Sequence, residues 1–406
     1  MTRVLIADDS AFMRKLLSDL FRKQEDFEVV GTAMNGKEAI SKVKQIHPDL
    51  LTLDVNMPVM DGLEALGIIM KECPLPVIMI SSLTQKGADA TIRALSLGAV
   101  DFISKAGGSI SKIETIESEI LEKCRIASQA KVSRLSGTQA NQGTKPAPPS
   151  MKRIDFPTRS GWKAETGQAG SLPEPKERAK PVYGAVRQNP LLKHRPRPVI
   201  GATERPKPKT VSGSGGASRK LVAIGTSTGG PQALQNVVTR LPGDLPCGVV
   251  VVQHMPMGFT KALAERLDSI SAIAVKEAED NDIIEPGHVY IAPGNYHMRV
   301  RQDGVVRRIS LSQEPPVGNH RPAVNVLFDS VAQFRRDLVS VIMTGMGCDG
   351  CEGMKKIKQQ GGYSIAQNEE TSVVYGMPKA VVDAGLADEV RPLQEIAGAI
   401  VAAVKK

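Results

Sequence analysis

Short apolar runs alternate with longer amphipathic segments over the first third of the chain. Five short runs are predicted to be buried strands, at Val4–Ala7, Val29–Ala33, Leu50–Leu53, Val77–Ile80 and Asp101–Ile103. Between them, segments such as Ala11–Arg22 and Gly36–Gln45 repeat their apolar residues with the 3.6-residue period of a helix. This alternation predicts an α/β domain with a parallel, doubly wound sheet over residues 1–126.

Apolar periodicity is lost between residues 127 and 217. This segment contains 12 prolines, 17 Lys and Arg residues and only 5 Asp and Glu residues. Such a composition buries too little apolar surface to offset the entropy of ordering the chain. We therefore predict a disordered, basic tether, which includes the single tryptophan, Trp162.

The β–α alternation resumes at Lys220. Further strands are predicted in the run that begins at Leu221 and at Val249–Val252, Val289–Ile291 and Val339–Met343. Helices are predicted at residues 258–268, 323–335, 352–360 and 377–385. Residues 218–406 are therefore expected to form a second α/β domain around another doubly wound, mostly parallel sheet.

Composition and charge narrow the class of protein. The net charge of +9 over 406 residues comes from the tether, because the rest of the chain is slightly acidic. This distribution argues against a folded surface that binds nucleic acid. No apolar run approaches the roughly 18 residues that span a bilayer, and Asp8 and Asp9 come too early for a signal peptide. We expect a cytoplasmic protein without membrane insertion.

The five cysteines are irregularly spaced, which predicts free thiols and not a disulfide framework. Cys348 and Cys351 form a lone C-x-x-C pair. A redox switch or half of a zinc site stays open as an alternative to two small packed side chains.

A glycine-bracketed serine follows the strand that begins at Leu221. Gly225-Thr-Ser227-Thr-Gly229 matches G-x-S-x-G, and Pro231 then opens an apolar-periodic helix. A tight turn from strand to helix exposes the serine hydroxyl and directs unpaired N–H groups towards it. The site is suited to attack on a carbonyl or to binding of a phosphate. Neither glycine-rich phosphate-binding pattern is present, which favours attack on a carbonyl.

A serine nucleophile needs a base and an acid that orients the base. His254 directly follows the predicted strand Val249–Val252, and Asp349 lies just after Val339–Met343. The carboxyl ends of parallel strands meet at one edge of a sheet, so all three groups are expected to converge. His320 is the second histidine considered for a site role. For Asp349 the alternative is an N-cap on the helix that follows it.

The first domain carries charged and hydroxyl side chains at matching strand ends. Asp8 and Asp9 follow the first strand, Asp54 ends the third, Ser81 follows the fourth and Lys105 follows the fifth. Three carboxylates at one edge repel one another unless a hard cation lies between them, and Mg²⁺ suits such oxygen ligands. Asp54 then becomes a candidate nucleophile towards a phosphoryl group.

Residues 1–125 resemble the receiver domain of two-component response regulators, which has a flavodoxin-like fold. The resemblance rests on Asp8-Asp9 and on Leu53-Asp-Val-Asn-Met-Pro58 followed by Met60-Asp-Gly62. It implies that Asp54 is the phospho-acceptor and that Mg²⁺ is bound by Asp8, Asp9, Asp54 and the backbone carbonyl of Asn56.

The same resemblance implies a phosphate switch. Ser81 and Lys105 match the switch hydroxyl and the invariant lysine of that family, and Phe102 matches its switch aromatic. Ala106 stands where the family usually has proline.

Residues 220–400 resemble the catalytic domain of chemotaxis protein-glutamate methylesterases, the CheB type, with a Rossmann-like fold. Several strings carry the resemblance: Ile224-Gly-Thr-Ser-Thr-Gly-Gly230, Gln253-His-Met-Pro256, His320-Arg-Pro322, Thr344-Gly-Met-Gly347 and Ala366-Gln-Asn368. The resemblance implies that Ser227 is the nucleophile, His254 the base and Asp349 the orienting acid.

Further roles near the nucleophile follow from the resemblance. The backbone N–H of Met346 matches an oxyanion donor, with Thr228 and His320 in supporting positions. Thr226 stands where alanine or serine is common in the family.

The two resemblances together imply a phosphorylation-activated hydrolase. Its substrates would be glutamate methyl esters on methyl-accepting chemoreceptors, with glutamine deamidation as a second activity, and the hydrolase site would need no cofactor. A chemotaxis-type histidine kinase would be the phosphoryl donor. The alternative is a response regulator that binds DNA through its basic tether, or binds a receptor or kinase, without catalysis.

Overall fold

A computed structural model describes residues 1–82, 84–105, 113–130 and 219–405. The predicted tether lies almost wholly outside the described residues, as do Trp162 and Ala106. The domain boundaries proposed from the sequence therefore stay a prediction. The α/β class and the two doubly wound sheets are confirmed.

The N-terminal domain is built on a parallel sheet with the strand order β2-β1-β3-β4-β5. Its elements in chain order are β1 (Thr2–Ala7), α1 (Ala11–Arg22), β2 (Phe27–Ala33), α2 (Gly36–Ile46), β3 (Leu50–Asp54), α3 (Gly62–Glu72), β4 (Val77–Ser82), α4 (Gln85–Leu97), β5 (Asp101–Lys105) and α5 (Ile113–Gln129). This strand order is the flavodoxin-like one, in which ligands bind at the carboxyl ends of β1 and β3.

Local capping explains where the first four helices begin. Ser10, Asn35, Asp61 and Thr84 each accept a hydrogen bond from a backbone N–H in the first turn of the helix that follows. Such N-caps satisfy amide groups that would otherwise have no partner.

The C-terminal domain contains a seven-stranded sheet with the order β14-β13-β12-β6-β7-β9-β8, and every neighbouring pair is parallel. The elements between residues 219 and 405 are β6 (Leu221–Thr226), α6 (Gly230–Val238), β7 (Gly248–Gln253), α7 (Phe259–Ile270), β8 (Ala274–Glu277), β9 (His288–Ile291), β10 (His297–Asp303), β11 (Val306–Ser312), α8 (Val324–Val331), β12 (Leu338–Ile342), α9 (Cys351–Gln359), β13 (Tyr363–Gln367), α10 (Met377–Asp383), β14 (Glu389–Arg391) and α11 (Leu393–Lys405).

The order in which strands are added to this sheet reverses at β6. From β6 the strand order runs one way through β7 to β9, and then resumes on the other side with β12, β13 and β14. This is the Rossmann-like order, with β8 added at one edge. The crevice at such a switch point lies outside the carboxyl ends of β6 and β12, which is where Ser227 and the loop carrying Asp349 follow their strands.

Three central strands of this sheet are buried along their whole length. Every residue of β6, β7 and β12 is buried. Helices cover both faces, which is why these strands are almost continuously apolar and do not alternate. The rigid strands hold the polar residues at their ends.

Several elements of the C-terminal domain were not predicted from the sequence. They include the short strand β8, the antiparallel hairpin of β10 and β11, and β13, β14 and α11. The hairpin strands carry charged residues on an exposed face, so their apolar runs are interrupted. The helix predicted at 323–335 ends at Val331 and continues as a 3₁₀ segment, Ala332–Asp337, interrupted at Arg335 by a φ of 55°.

Among the described residues, no helix combines the length and the apolar character needed to cross a membrane.

Two glycines of α3 give a matched stability test. A Cβ on Gly62 would lie 2.0 Å from the carbonyl oxygen of Asp54, whereas nothing lies within 4 Å of a Cβ on Gly67. We expect Gly62→Ala to destabilise the protein by about 1–3 kcal/mol through overpacking. Gly67→Ala should instead stabilise it by about 1 kcal/mol through helix propensity.

Calorimetric unfolding of the full chain measures both changes. Equal shifts of the unfolding transition of the N-terminal domain in the two variants would contradict the close approach of α3 to β3.

Candidate active site

Ser227 occupies a tight turn between β6 and α6. Its N–H donates to the carbonyl of Thr344 at 3.0 Å, and its own carbonyl accepts from Gly230 at 2.7 Å. Gly229, between them, has a φ of 76°, a conformation that favours glycine. A Cβ there would also lie 2.6 Å from Val373. The turn therefore fixes the serine at the carboxyl end of β6, where it is 9% exposed.

His254 follows β7 and faces the serine. Its Nδ1 lies 3.2 Å from Ser227 Oγ, and its N–H donates to the carbonyl of Thr226 at 3.1 Å. The side chain is 6% exposed. The ring therefore lies within hydrogen-bond reach of the hydroxyl, in a position largely shielded from water.

Asp349 lies on the far side of the same ring. Its Oδ2 lies 2.8 Å from His254 Nε2 and also accepts from the N–H of Val324 at 2.6 Å, while Oδ1 accepts from the N–H of Asn325 at 2.9 Å. The carboxylate thus satisfies the first amides of α8. The N-cap of the helix that follows, α9, is Gly350, so Asp349 caps a different helix from the one considered in the sequence analysis.

These contacts determine the proton positions when the imidazole is neutral. An ionised carboxylate only accepts hydrogen bonds, so Nε2 carries the proton that faces Asp349. Nδ1 is then the acceptor for the Ser227 hydroxyl. Burial alone would raise the pKa of Asp349, but hydrogen bonds from His254, Asn325 and Val324 outweigh it and hold that pKa below its ordinary value.

His320 stacks on the base. The rings of His320 and His254 are 3.8 Å apart between centroids and nearly parallel, with an interplanar angle of 12°. Burial, followed by the charge of His254, lowers the pKa of His320 to about 4. His320 is therefore a neutral ring near pH 7 that restricts the tilt of the base.

The loop after β12 presents a backbone donor near the serine. Among the described residues, the N–H of Met346 has no hydrogen-bond partner, and Met346 is half-buried. The preceding Gly345 lies so close that a Cβ there would be 2.8 Å from the Cβ of Ser227. A free N–H beside a nucleophile is the kind of group that stabilises an oxyanion.

Gln253 is a buried residue to which the sequence analysis assigned no role. Its Nε2 donates to the carbonyls of Ser227 at 2.9 Å and His254 at 3.1 Å, and its Oε1 accepts from the Thr226 hydroxyl at 2.7 Å. The amide therefore joins the two strand ends that carry nucleophile and base. A glutamine ending an otherwise apolar strand was the available signal. The hydroxyl of Thr226 holds the Gln253 amide, which explains why a threonine fits this position.

The N-terminal domain brings three acidic residues together. Oxygens of Asp8, Asp9 and Asp54 lie within 4.8 Å of one another. Lys105 Nζ lies 2.9 Å from Asp54 Oδ2 and 3.1 Å from Asp8 Oδ2. Asp8 and Asp54 are buried, so one lysine faces two buried carboxylates and a third, exposed one. This all-oxygen set, with more negative than positive charge, fits a hard divalent cation.

Burial is the main cause that changes the acidity of Asp54. Burial raises its pKa to about 6, the ion pair with Lys105 opposes the rise, and the charges of Asp8 and Asp9 add to it. Burial lowers the pKa of Lys105, but its pairs with Asp54 and Asp8 outweigh this and raise it. The lysine therefore stays charged beside the acids.

The remaining predicted residues of this domain are Ser81, Asn56 and Phe102, which lie on three different segments. The buried Ser81 donates its hydroxyl to the carbonyl of Gly87 in α4 at 3.1 Å. Asn56 is exposed on the loop after β3, and the buried Phe102 lies on β5.

The two α/β domains contact each other beside Ser227. Phe102 stacks on Phe259 of α7, with 4.5 Å between ring centroids. The hydroxyl of Thr228, next to the nucleophile, donates to Asp101 Oδ2 at 2.8 Å, and Gln232 Nε2 donates to the carbonyl of Leu95 at 2.8 Å. The N-terminal domain thus accepts a hydrogen bond directly from Thr228, the residue that follows Ser227.

Lys123 of α5 reinforces this contact. Its Nζ donates to the carbonyl of Phe102 at 2.7 Å and lies 3.6 Å from Asp101 Oδ1 and 3.1 Å from Glu119 Oε1. Burial would lower the pKa of Lys123, but the charges of Asp101 and Glu119 outweigh it and raise that pKa. The ammonium group holds Asp101 in place as the acceptor for Thr228.

Comparison with known proteins follows the same division of the chain. Residues 222–400 match the family model for CheB methylesterase, and residues 4–116 match the model for the response regulator receiver domain. A crystal structure of the Thermotoga maritima CheB methylesterase catalytic domain is 46% identical in sequence, with a TM-score of 0.45. The match covers 45% of this chain and 97% of that chain.

Relatives also match over the whole length. A protein-glutamate methylesterase/protein-glutamine glutaminase of Geobacillus kaustophilus is 43% identical over 98% of this chain and 97% of its own. A protein of the same description from Oleidesulfovibrio alaskensis is 44% identical over 100% of both chains.

Proposed function

This chain belongs to the protein-glutamate methylesterase/protein-glutamine glutaminase family, and on that basis we propose that it hydrolyses glutamate methyl esters of chemoreceptors under phosphorylation control. The observation that carries the proposal is the chain of hydrogen-bond contacts from Ser227 through His254 to Asp349. This arrangement activates a hydroxyl towards an ester carbonyl.

Acylation begins with attack of Ser227 Oγ on the ester carbonyl. Nδ1 of His254 takes the hydroxyl proton, and Asp349 stabilises the imidazolium that forms. The Met346 N–H donates to the oxyanion; loss of one such donor typically costs roughly 10²–10³-fold in rate. The imidazolium then returns its proton to the leaving methoxide, and methanol departs.

Deacylation uses the same groups, with water as the nucleophile. His254 takes a proton from the water that attacks the acyl carbonyl, and the imidazolium then returns that proton to Ser227 Oγ as the glutamate carboxylate leaves. A glutamine side chain enters by the same route and releases ammonia in place of methanol. His320 serves as a positioning residue, because its stacked ring limits the motion of the base without carrying charge near pH 7.

The acidic pocket of the N-terminal domain is where phosphorylation controls the hydrolase. Asp54 is the nucleophile for the phosphoryl group. Lys105, whose Nζ lies 2.9 Å from Asp54 Oδ2, is placed to neutralise the charge that the phosphoryl group adds. Asp8, Asp9, Asp54 and the Asn56 carbonyl would hold Mg²⁺, which when bound shields the carboxylates from the incoming phosphoryl oxygens. A chemotaxis-type histidine kinase is the proposed donor.

Strand β5 connects the two sites. Its last residue, Lys105, pairs with the phospho-acceptor, and its first two residues, Asp101 and Phe102, contact the hydrolase domain. The span is about 13 Å at the usual rise per residue. Phosphorylation of Asp54 separates the two domains only if the phosphorylated form disfavours the position of β5 in which Asp101 and Phe102 make these contacts. We propose that the unphosphorylated form masks the serine site.

The alternative of a binding module without catalysis gains no support from these contacts. The side chains of Ser227, His254 and Asp349 contact one another in a chain of hydrogen bonds, an arrangement that binding of a partner does not require. The cytoplasmic location expected from the sequence stays a prediction.

Methanol release from methylated receptor membranes tests the function. We expect slow release by the unphosphorylated full chain and faster release with acetyl phosphate and Mg²⁺. Ser227→Ala should abolish release in both conditions because no acyl-enzyme forms. Asp54→Asn, a matched control, should keep the slow rate but ignore the phosphodonor. Methanol release by Ser227→Ala would remove the serine from the reaction.

Removal of the Asp101 carboxylate tests the mask. Hydrogen bonds to charged groups contribute about 1.5–3 kcal/mol, so Asp101→Ala should raise the unphosphorylated rate of methanol release roughly tenfold. Asp101→Asn keeps an acceptor for the Thr228 hydroxyl and should raise the rate less. Asp19→Ala, on the exposed face of α1, controls for charge removal. An unchanged rate in Asp101→Ala would mean that this contact does not restrain the enzyme.

A further inference from the structure

Cys348 and Cys351 form the two ends of a tight turn. The N–H of Cys351 donates to the carbonyl of Cys348 at 3.0 Å. Gly350, at the third position, has φ 97° and ψ −20°, as a type II turn requires there. The Cα atoms at the ends of a β-turn are less than about 7 Å apart, which overlaps the roughly 4.4–6.8 Å found across disulfides.

The backbone of this turn is held by close packing. Gly350 is buried, and a Cβ there would lie 2.9 Å from both Ile342 and Val324. This packing therefore limits the movement of the turn that carries both cysteines.

The two thiols differ in accessibility. Cys348 is exposed, whereas Cys351 is half-buried and donates to the carbonyl of Ala380 at 3.5 Å. Burial, then the charges of Glu352 and Cys348, raises the pKa of Cys351. Cys348 is thus suited to react first with a reagent from solution, and Cys351 to resolve the product.

The other cysteines lack such a partner. Cys124 and Cys247 are buried, with pKa values raised by burial to about 12, and Cys73 is half-buried in another domain from the pair.

Asp349 is the second residue of the same turn. Its carboxylate holds His254 at 2.8 Å and caps α8. A bond between Cys348 and Cys351 breaks the contact of Cys351 with Ala380 and constrains the packed backbone between the two cysteines, which carries this carboxylate. The chemistry of the thiols is therefore coupled to the geometry of the triad.

We propose that Cys348 and Cys351 are a redox-active dithiol that low-molecular-weight disulfides oxidise, and that the disulfide form slows the hydrolase by displacing Asp349. The effect on the rate rests on the proposed function; the dithiol itself does not.

The oxidation is a thiol–disulfide exchange in two steps. The Cys348 thiolate attacks one sulfur of the small disulfide and displaces a first small thiol. The Cys351 thiol then loses its proton and attacks the Cys348 sulfur, which displaces the second. Two protein thiols become one disulfide, and one small disulfide becomes two thiols, so atoms and electrons balance.

Glutathione disulfide is the probe for the test, because it leaves methionine side chains unoxidised. The native full chain is incubated with it, alkylated and analysed by mass spectrometry of peptides. We expect a product lighter by two hydrogen atoms, with the bond between Cys348 and Cys351. Methanol release should fall roughly tenfold or more, as small misplacements at catalytic groups typically cause, and dithiothreitol should restore it.

Single substitutions separate the two thiols. Cys351→Ser should stop at a mixed disulfide, heavier by one glutathionyl group on Cys348, whereas Cys348→Ser should resist both the modification and the loss of activity. Absence of the Cys348–Cys351 bond would overturn the proposal, and so would a bond that forms without slowing the enzyme. An enzyme inactive when fully reduced would instead count against the proposed function, since the mass readout does not depend on activity.

Discussion

The carboxylate of Asp349 is the group on which the geometry of the hydrolase site depends. It joins three separate parts of the chain, because it accepts from two amides at the start of α8 and from the imidazole of His254. The hydrogen bond with His254, together with those from the two amides, keeps the carboxylate ionised, and the ionised carboxylate determines which ring nitrogen carries the proton when the ring is neutral. The start of α8 thus helps to orient the ring that faces Ser227, although it makes no bond to Ser227 itself.

Parallel-sheet topology explains why such distant residues meet. Ser227, His254 and Asp349 each follow a fully buried strand, and the carboxyl ends of those strands lie at one edge. The receiver domain uses the same rule for its acidic pocket. Strand β5 then runs between the two sites, from Lys105 beside Asp54 to Asp101, which accepts a hydrogen bond from Thr228.

Much of this could be predicted from the sequence because continuous apolar runs mark buried parallel strands, and the residue after each run is the candidate for chemistry. The hairpin of β10 and β11 buries its apolar residues only at alternate positions, such as Met298, Val300 and Ile309, so it gave no such run and was missed. The helix α8 was predicted, but its capping by Asp349 was missed, because a cap distant in sequence leaves no local pattern. Gln253 and the contact between Asp101 and Thr228 depend on tertiary packing that periodicity cannot encode.

The most direct test of this account is the protonation of the His254 ring, observed by ¹⁵N nuclear magnetic resonance of the full chain and assigned with His254→Ala. When the ring is neutral, we expect the proton on Nε2 and an unprotonated Nδ1. Asp349→Asn should weaken that preference. A neutral ring protonated at Nδ1 would contradict the account, because the nitrogen beside Ser227 could not then accept its proton.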